Sequence, residues 1–312
     1  MRSNGFRYLV AIVFVLCLGG INVWAQEFRV TLLGTGNPMP SLTRFGPSIL
    51  IQAGDETLVF DAGRGAAQRL YELGVPFQKI TAVFLTHLHS DHIVGLPDLW
   101  LTGWLIGRTT SPLKLIGPAG TTEMAGYLEK AFAFDTRIRV EEGGQAAGGG
   151  HLYARDIVQG PVYEEHGVRV TAFDADHGIV KPALGYRIEY RGHIVVLSGD
   201  TRFSQNVIEF SKGADVLIHE VVLAPTDIKP SSRGYIAFAH HTTPEQAAEV
   251  FSRVKPKLAV YSHIVSLWGL KDEELTLRTR KLYPSPFEVG EDLMSFVVGD
   301  SVRTERPNQH KL

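Results

Sequence analysis

Short apolar stretches punctuated by glycine, proline and asparagine run along the chain from residue 28 onward. Residues 28–33 (FRVTLL) read as a strand that ends in the turn Gly34-Thr35-Gly36-Asn37-Pro38. Two more strands follow at 48–52 and 57–60, the second running into Asp61-Ala62-Gly63. β-Branched and aromatic residues fit an extended, half-buried backbone, and glycine and proline interrupt it. The pattern then changes. Residues 66–73 predict a helix stopped by Gly74, 80–85 a buried strand, 93–106 a helix, 113–116 a strand and 122–132 a helix. Strand character returns at 168–173, 184–190 and 193–197, followed by a helix at 204–210, a strand at 215–219, a helix at 243–254, a strand at 258–261 and a helix at 273–282. The helix at 243–254 has the clearest start, Thr242-Thr243 before Pro244. A hydroxyl there can accept from first-turn amides, and proline has no amide to leave unpaired. Residues 141–150 (EEGGQAAGGG) predict a flexible loop. Alternating strands and helices predict α/β layers. No linker divides them, so residues 26–312 read as one domain.

The first 25 residues stand apart. Arg2 and Arg7 precede an apolar run over 8–20, and Val23 and Ala25 are small residues ahead of Gln26. This layout predicts a secretory signal peptide over residues 1–25, cut between Ala25 and Gln26, and a secreted or periplasmic protein. The run is shorter than the roughly 20 residues of a membrane span, so no stable membrane anchor is expected. Cleavage removes two arginines and no acid, taking the net charge from −2 to −4. It also removes Cys17, the sole cysteine, so the mature chain has no thiolate for a nucleophile or a metal. A metal site would have to use histidine and carboxylate. A mildly acidic chain without a basic run points away from nucleic acid as a partner.

Histidines are abundant, 12 in all, and they cluster. His87-Leu88-His89-Ser90-Asp91-His92 follows directly on the strand at 80–85. His87 and His89 are two apart and share a side of an extended backbone, while Asp91 and His92 fall in the turn that opens the next helix. Two imidazoles can hold one metal while Asp91 and His92 face a second.

His87-x-His89-x-Asp91-His92 resembles the signature of the metallo-β-lactamase superfamily of hydrolases, and the resemblance extends in order along nearly the whole mature chain. Asp61 matches the aspartate that braces the ligand loop, His177 the third histidine, Asp200 the aspartate bridging two metals, and His263 the last ligand. The resemblance implies a four-layer αββα metallo-β-lactamase fold and a dinuclear site, with two zinc ions as the expected cofactors and manganese or iron as alternatives. His87, His89 and His177 are assigned to one ion, Asp91, His92 and His263 to the other, and Asp200 to both. Such a pair can lower the pKa of a bridging water to about 7. An aspartate in the bridging slot departs from secreted β-lactamases that use cysteine, which counts against β-lactam hydrolysis.

A second constellation, Leu217-Ile218-His219-Glu220 with Ala239-His240-His241-Thr242-Thr243-Pro244-Glu245-Gln246-Ala247-Ala248, resembles the ribonuclease Z and arylsulfatase-like branch. There a glutamate pairs with a histidine that protonates the leaving oxygen. Spacing to Gln246-Ala247-Ala248 places that histidine at His241, with His240 as the register-shifted alternative. Asp91, His241 and Glu220 are therefore the expected catalytic residues. His219 is expected to be buried without ligating, and His151, His166, His193 and His310 to be structural or superficial. Trp100, Trp104 and Trp268 are candidates for pocket walls or plain packing. Ribonuclease Z enzymes carry a transfer-RNA arm between the third histidine and the bridging aspartate, and only 22 residues separate His177 from Asp200. The expectation is thus a small ester substrate, a phosphodiester or sulfate ester, and no nucleic acid. A lactonase and a non-catalytic binding protein on the same scaffold are the alternatives, and a homodimer is left open.

Overall fold

The computed structural model describes residues 27–307. The expected leader and its cut between Ala25 and Gln26 lie outside them, as does His310. Among the described residues no helix is long and apolar enough to cross a membrane.

Two sheets face each other. The first joins β1 (Phe28–Gly34), β2 (Ser48–Ala53), β3 (Glu56–Phe60), β4 (Ala82–Phe84), β5 (Leu113–Gly117) and β6 (Leu152–Asp156) to β14 (Ser295–Val298) and β15 (Val302–Glu305), in the order β15-β14-β1-β2-β3-β4-β5-β6. The second contains β7 (Gly160–Glu165), β8 (Val168–Asp174), β9 (Leu184–Tyr190), β10 (His193–Leu197), β11 (Val216–Val222), β12 (Leu258–Val265) and β13 (Phe287–Val289), in the order β13-β12-β11-β10-β9-β8-β7.

The period of two in each strand sorts its side chains between two cores. Leu58 and Phe60 of β3 and Phe84 of β4 enter the core between the sheets, where they meet Tyr186, Val195 and Ile218 of the second sheet. Val59, Val83 and Leu115 point the other way, onto α1 (Ala66–Glu72), α3 (Leu96–Ile106) and α4 (Thr121–Ala131) through Leu70, Leu99 and Ala125. On the far side Val196, Leu217 and Tyr261 pack on α6 (Gln205–Phe210) and α8 (Pro244–Val254). Helix, sheet, sheet and helix give the expected αββα layers. β11 and β12 are buried along their whole lengths, as suits parallel strands covered on both faces.

Three departures from the sequence pattern have physical causes. The helix expected at 93–106 is two: α2 (Ser90–Ile93) and α3, parted at Gly95. A Cβ at Gly95 would lie 2.2 Å from the Gly63 carbonyl oxygen, so the chain bends where it passes the Asp61 loop. The loop expected at 141–150 opens inside α5 (Ala133–Glu141), and its last two glycines are packed rather than free. Gly149 and Gly150 are buried against Trp104, whose Nε1 donates to Ala146 at 2.9 Å. Trp100 and Trp104 are fully buried and wall no pocket at the site. Unforeseen elements include β6, β7 and α7 (Tyr235–His240). By contrast α8 starts as expected, with Thr243 and Gln246 forming a reciprocal capping box and Pro244 in the first turn.

α4 lacks a capping side chain of its own at Gly120. Asp156, at the end of β6, takes that role: its carboxylate accepts from Gly120 N at 3.0 Å, Thr122 N at 2.7 Å and Thr122 Oγ1 at 2.8 Å. The slight burial of Asp156 opposes ionisation, but these donors outweigh it and hold the carboxyl below its ordinary value. Asp156→Ala should cost about 1 kcal/mol at neutral pH, the usual worth of an N-cap. Because the folded pKa is depressed, that stability is present above the ordinary carboxylate pKa and is lost as pH falls through the folded value. Urea titrations of both proteins at neutral and acid pH should show the difference shrink with acid.

Candidate metal centre and active site

The parallel strands of both sheets end on one side of the molecule, and the histidine and aspartate side chains gather there. Asp61 leaves β3 with φ 59°, a conformation rare for a residue with a side chain. The turn aims its carboxylate at the β4 loop. It accepts from Thr86 N at 2.8 Å and Thr86 Oγ1 at 2.9 Å, and His92 Nδ1 lies 2.8 Å away. With Nδ1–H donating to Asp61, the Nε2 of His92 is the atom turned into the site, 3.4 Å from Asp200 Oδ2. His177 is fixed in the same way: Nδ1 donates to the His240 carbonyl at 3.0 Å, which turns Nε2 into the site, 3.4 Å from His89 Nδ1.

His263 reaches the site through a bulge. Glu220 pairs with Ser262, but Val221 pairs with Ile264, so His263 is an extra residue in β12, with φ 43°. A bulge re-aims one side chain without ending the ladder. Asp200 follows β10 through Gly199, whose φ is 60° and where a Cβ would lie 2.2 Å from the Leu184 carbonyl oxygen. Only glycine fits so close an approach.

Asp200 Oδ2 sits at the centre. Nε2 of His263 is 3.3 Å from it, of His92 3.4 Å, of His87 3.8 Å and of His177 3.9 Å. Two sets of potential ligand atoms, each within 4.8 Å of one another, bring the expected residues together: His87, His89, His177 and Asp200 in one, and Asp91, His92 and His263, without Asp200, in the other. A third set joins Asp200 and His263 to His241. All but His89 and His241 in these sets are buried, and His89 stands exposed at the mouth.

The donor set suits divalent cations. His87 Nε2 and His92 Nε2 are buried without a hydrogen-bond partner, a costly state for a polar atom unless a cation takes the lone pair. Burial holds His87 well below the ordinary histidine pKa, and with it the neighbouring His92, so its ring is neutral as a ligand must be. Burial opposes the charge of Asp200 too, yet His263 and His92 beside it keep its carboxyl well below the ordinary range. Burial opposes the charge of His92 as well, yet Asp200 and Asp61 raise its pKa well above the ordinary histidine value, so in the protein alone a proton stands where a metal ion would take the nitrogen.

Beside the cluster stands a dyad. His241 Nδ1 lies 2.9 Å from Glu220 Oε2, and Glu220 Oε1 accepts from Thr242 N at 2.7 Å. Burial works against protonation of His241, but the Glu220 carboxylate, by charge and hydrogen bond, pushes its pKa up to about 9. The glutamate pairs with His241 and not with the register-shifted His240. The ring of His240 lies over Gly178, outside the three ligand sets, and only its carbonyl serves the site. That carbonyl contact had no sequence signal, and neither did Ser198 Oγ, which accepts from Glu220 N at 3.1 Å. Thr86 stood beside the motif and proves to be its brace. His219 is buried, its Nδ1 on the Glu220 carbonyl at 2.7 Å, and is not a member of any ligand set.

Fold and site together define a metal-dependent hydrolase. A model of the β-lactamase superfamily domain matches residues 56–264. "Ribonuclease Z" of Mycolicibacterium gilvum is 35% identical over 270 residues, covering 85% of this chain and 94% of that protein. "Ribonuclease Z" of Mycobacterium bovis is 36% identical over 273 residues, covering 85% and 96%. Among solved structures, the metallo-β-lactamase fold protein YhfI of Bacillus subtilis superposes with a TM-score of 0.68 at 19% identity, over 88% of this chain and all of that one. The short form of human tRNase Z gives 0.63 at 24% identity, over 86% and 98%. These two likenesses bear on the fold alone. The chain belongs to the β-lactamase superfamily, in its ribonuclease Z branch.

These matches overturn two expectations: a small phosphodiester, sulfate ester or lactone as substrate, and the exclusion of nucleic acid. The missing arm misled. The stretch between His177 and Asp200 holds only β9, β10 and their turns. Yet the M. gilvum match spans 270 residues at nearly equal shares of both chains, which leaves no room for a long arm in that relative. Lack of an arm therefore does not separate this chain from proteins named Ribonuclease Z.

Proposed function

We propose that this protein is an endoribonuclease that hydrolyses a phosphodiester bond in a structured RNA of the transfer-RNA type, with two zinc ions as cofactors. The observation that carries the proposal is the Glu220–His241 dyad set against the Asp200-centred cluster, in a chain at least a third identical to proteins named Ribonuclease Z. A donor set of imidazole nitrogens and carboxylate oxygens with an open position accommodates zinc.

In this proposal His87, His89 and His177 hold one ion, Asp91, His92 and His263 the other, and Asp200 both. The pair supplies Lewis acidity: it makes water acidic enough to attack at neutral pH and offsets charge on the phosphoryl group. The chain does the rest. Asp61 and the His240 carbonyl fix the rings of His92 and His177, so the phosphate meets a preformed site. Glu220 holds His241 upright and charged. His241, the one cationic donor of the dyad, gives its proton to the departing ribose oxygen, a poor leaving group unless protonated. A proton from solvent water then replaces the one His241 has lost, while the Glu220 carboxylate keeps the ring in place.

The test uses an end-labelled transfer-RNA precursor extended at both ends, incubated with zinc-loaded protein. Cleavage at a single position, abolished by chelator and restored by zinc, is the expected outcome. A chain that leaves this RNA intact with two ions bound refutes the proposal.

A further inference from the structure

A groove of about 840 Å³, within the size range of ligand sites, is lined by segments that adjoin the site in the chain. Two of its walls are the chain segments that leave the site itself. Five residues after His263 the chain reaches Trp268, and Gly234 opens α7, the helix that ends at His240 next to His241. A third wall carries Met39, from a loop tied to the site by Asn37 Nδ2 donating to the Ile264 carbonyl at 2.7 Å. The groove is thus joined to the site by the segments that lead out of it.

Its chemistry is specific. Trp268 is partly exposed, with its ring laid on the backbone of Gly234, where φ is 81° and a Cβ would come within 2.8 Å of the ring. Its Nε1 donates to the Arg233 carbonyl at 3.3 Å, which fixes the indole in the wall. Val222, Ala224 and Val265 form a small buried cluster on which the Trp268 side chain packs. Lys229 and Arg233 also line the groove, and among the described residues neither has a carboxylate within 4.0 Å. Asp227 is the acid on the same wall. An aromatic face with two uncommitted cations is what single-stranded nucleic acid asks of a surface: stacking for bases and charge for phosphates.

We propose that this groove binds the single-stranded segment of RNA next to the scissile bond, with a base stacked on Trp268 and backbone phosphates at Lys229 and Arg233. The proposal rests on the ribonuclease reading of the site and assigns that reading its strand-holding surface. Trp268 and the two cations are positioning residues: they set where the strand lies and take no part in bond breaking.

Two measurements test it. In the first, a short oligouridylate is titrated into the zinc-loaded chain while tryptophan fluorescence is followed. Trp100 and Trp104 are fully buried, so among the described residues Trp268 is the indole open to a ligand. The strand should quench emission, and the quench should vanish in Trp268→Phe, which keeps a stacking ring and most of the affinity. In the second, KM and kcat are measured on the extended transfer-RNA precursor. Trp268→Ala should raise KM roughly 5- to 150-fold, the range for one stacked base, with a much smaller change in kcat. Lys229→Gln with Arg233→Gln should lower the slope of log KM against log salt by about 1.4, two phosphates' worth for a single strand. Lys114→Gln, a remote exposed lysine, controls for net charge and should behave as wild type.

No quench, or a Trp268→Ala KM within about twofold of wild type, overturns the groove while leaving RNA cleavage intact. A wild-type chain that cuts no RNA defeats the reading of the site, and the fluorescence titration still decides the groove. If Trp268→Ala instead halves the solution mass, a second copy of the chain occupies the surface and the proposal is wrong.

Discussion

Asp200→Ala should abolish RNA cleavage and release both metal ions. Its Oδ2 stands within 3.9 Å of Nε2 of four histidines, two from each ligand set, so it is the anion placed between both halves of the site. Without it, each set keeps its imidazoles but loses the shared anion that offsets two dications. Removing a mere outer-shell partner of a metal ligand costs about 10- to 100-fold in affinity. Loss of the bridging group should exceed that for both ions. Elemental analysis should fall from near two ions per chain toward none. Zinc bound at the assembled site should raise the melting temperature of wild type and no longer that of the variant. Asp200→Asn keeps the shape and one acceptor oxygen and should retain part of the metal but little turnover. An Asp200→Ala chain with full metal and full activity would remove the bridging role, and the division of ligands built on it.

The gathering of His87, His89, Asp91 and His92 at one strand end was legible because a two-residue strand period and a short turn fix it locally. His87 and His89 must share a side, and Asp91 and His92 must fall in the turn after them. The αββα layering was legible for a similar reason, since Leu58/Val59/Phe60 and Val195/Val196/Leu197 each alternate between two cores. What sequence did not carry was long-range. That Asp156 caps α4 across 34 positions, that the His240 carbonyl seats His177, and that residues 147–150 are packed under Trp104 all depend on chain segments brought together by the fold. The substrate was misjudged on a subtler ground. An absent arm and a net acidic charge are properties of the whole chain, whereas strand binding rests on a few side chains at one mouth. Two uncommitted cations and an indole there are invisible in a charge total of −2.

His241→Ala should separate proton donation from metal binding. Its Nδ1 is held by Glu220, so the ring can offer a proton from Nε2 while contributing nothing essential to either ligand set. General acid catalysis is worth about 10²–10⁴-fold, and the variant should lose on that order against RNA, whose ribose oxygen leaves poorly. Against bis-p-nitrophenyl phosphate, used only as a probe, the loss should be far smaller, because p-nitrophenolate departs without a proton. Metal content should stay near two ions. The pH profile gives an independent reading. The acid form of His241 is the active one, so kcat should fall as pH rises through its folded pKa. Glu220 pushes that value up to about 9 in the protein alone, and two bound dications bring it down from there. Glu220→Gln removes the charge that raises it, so the alkaline limb should move to still lower pH, with the acid limb in place. His240→Ala is the matched control: its ring lies outside the ligand sets, and it should show the leaving-group response of wild type. If His241→Ala loses its ions and slows both substrates equally, His241 is a ligand. If the leaving-group dependence appears in neither histidine variant, the dyad is a structural pair and the proton reaches the ribose oxygen from water.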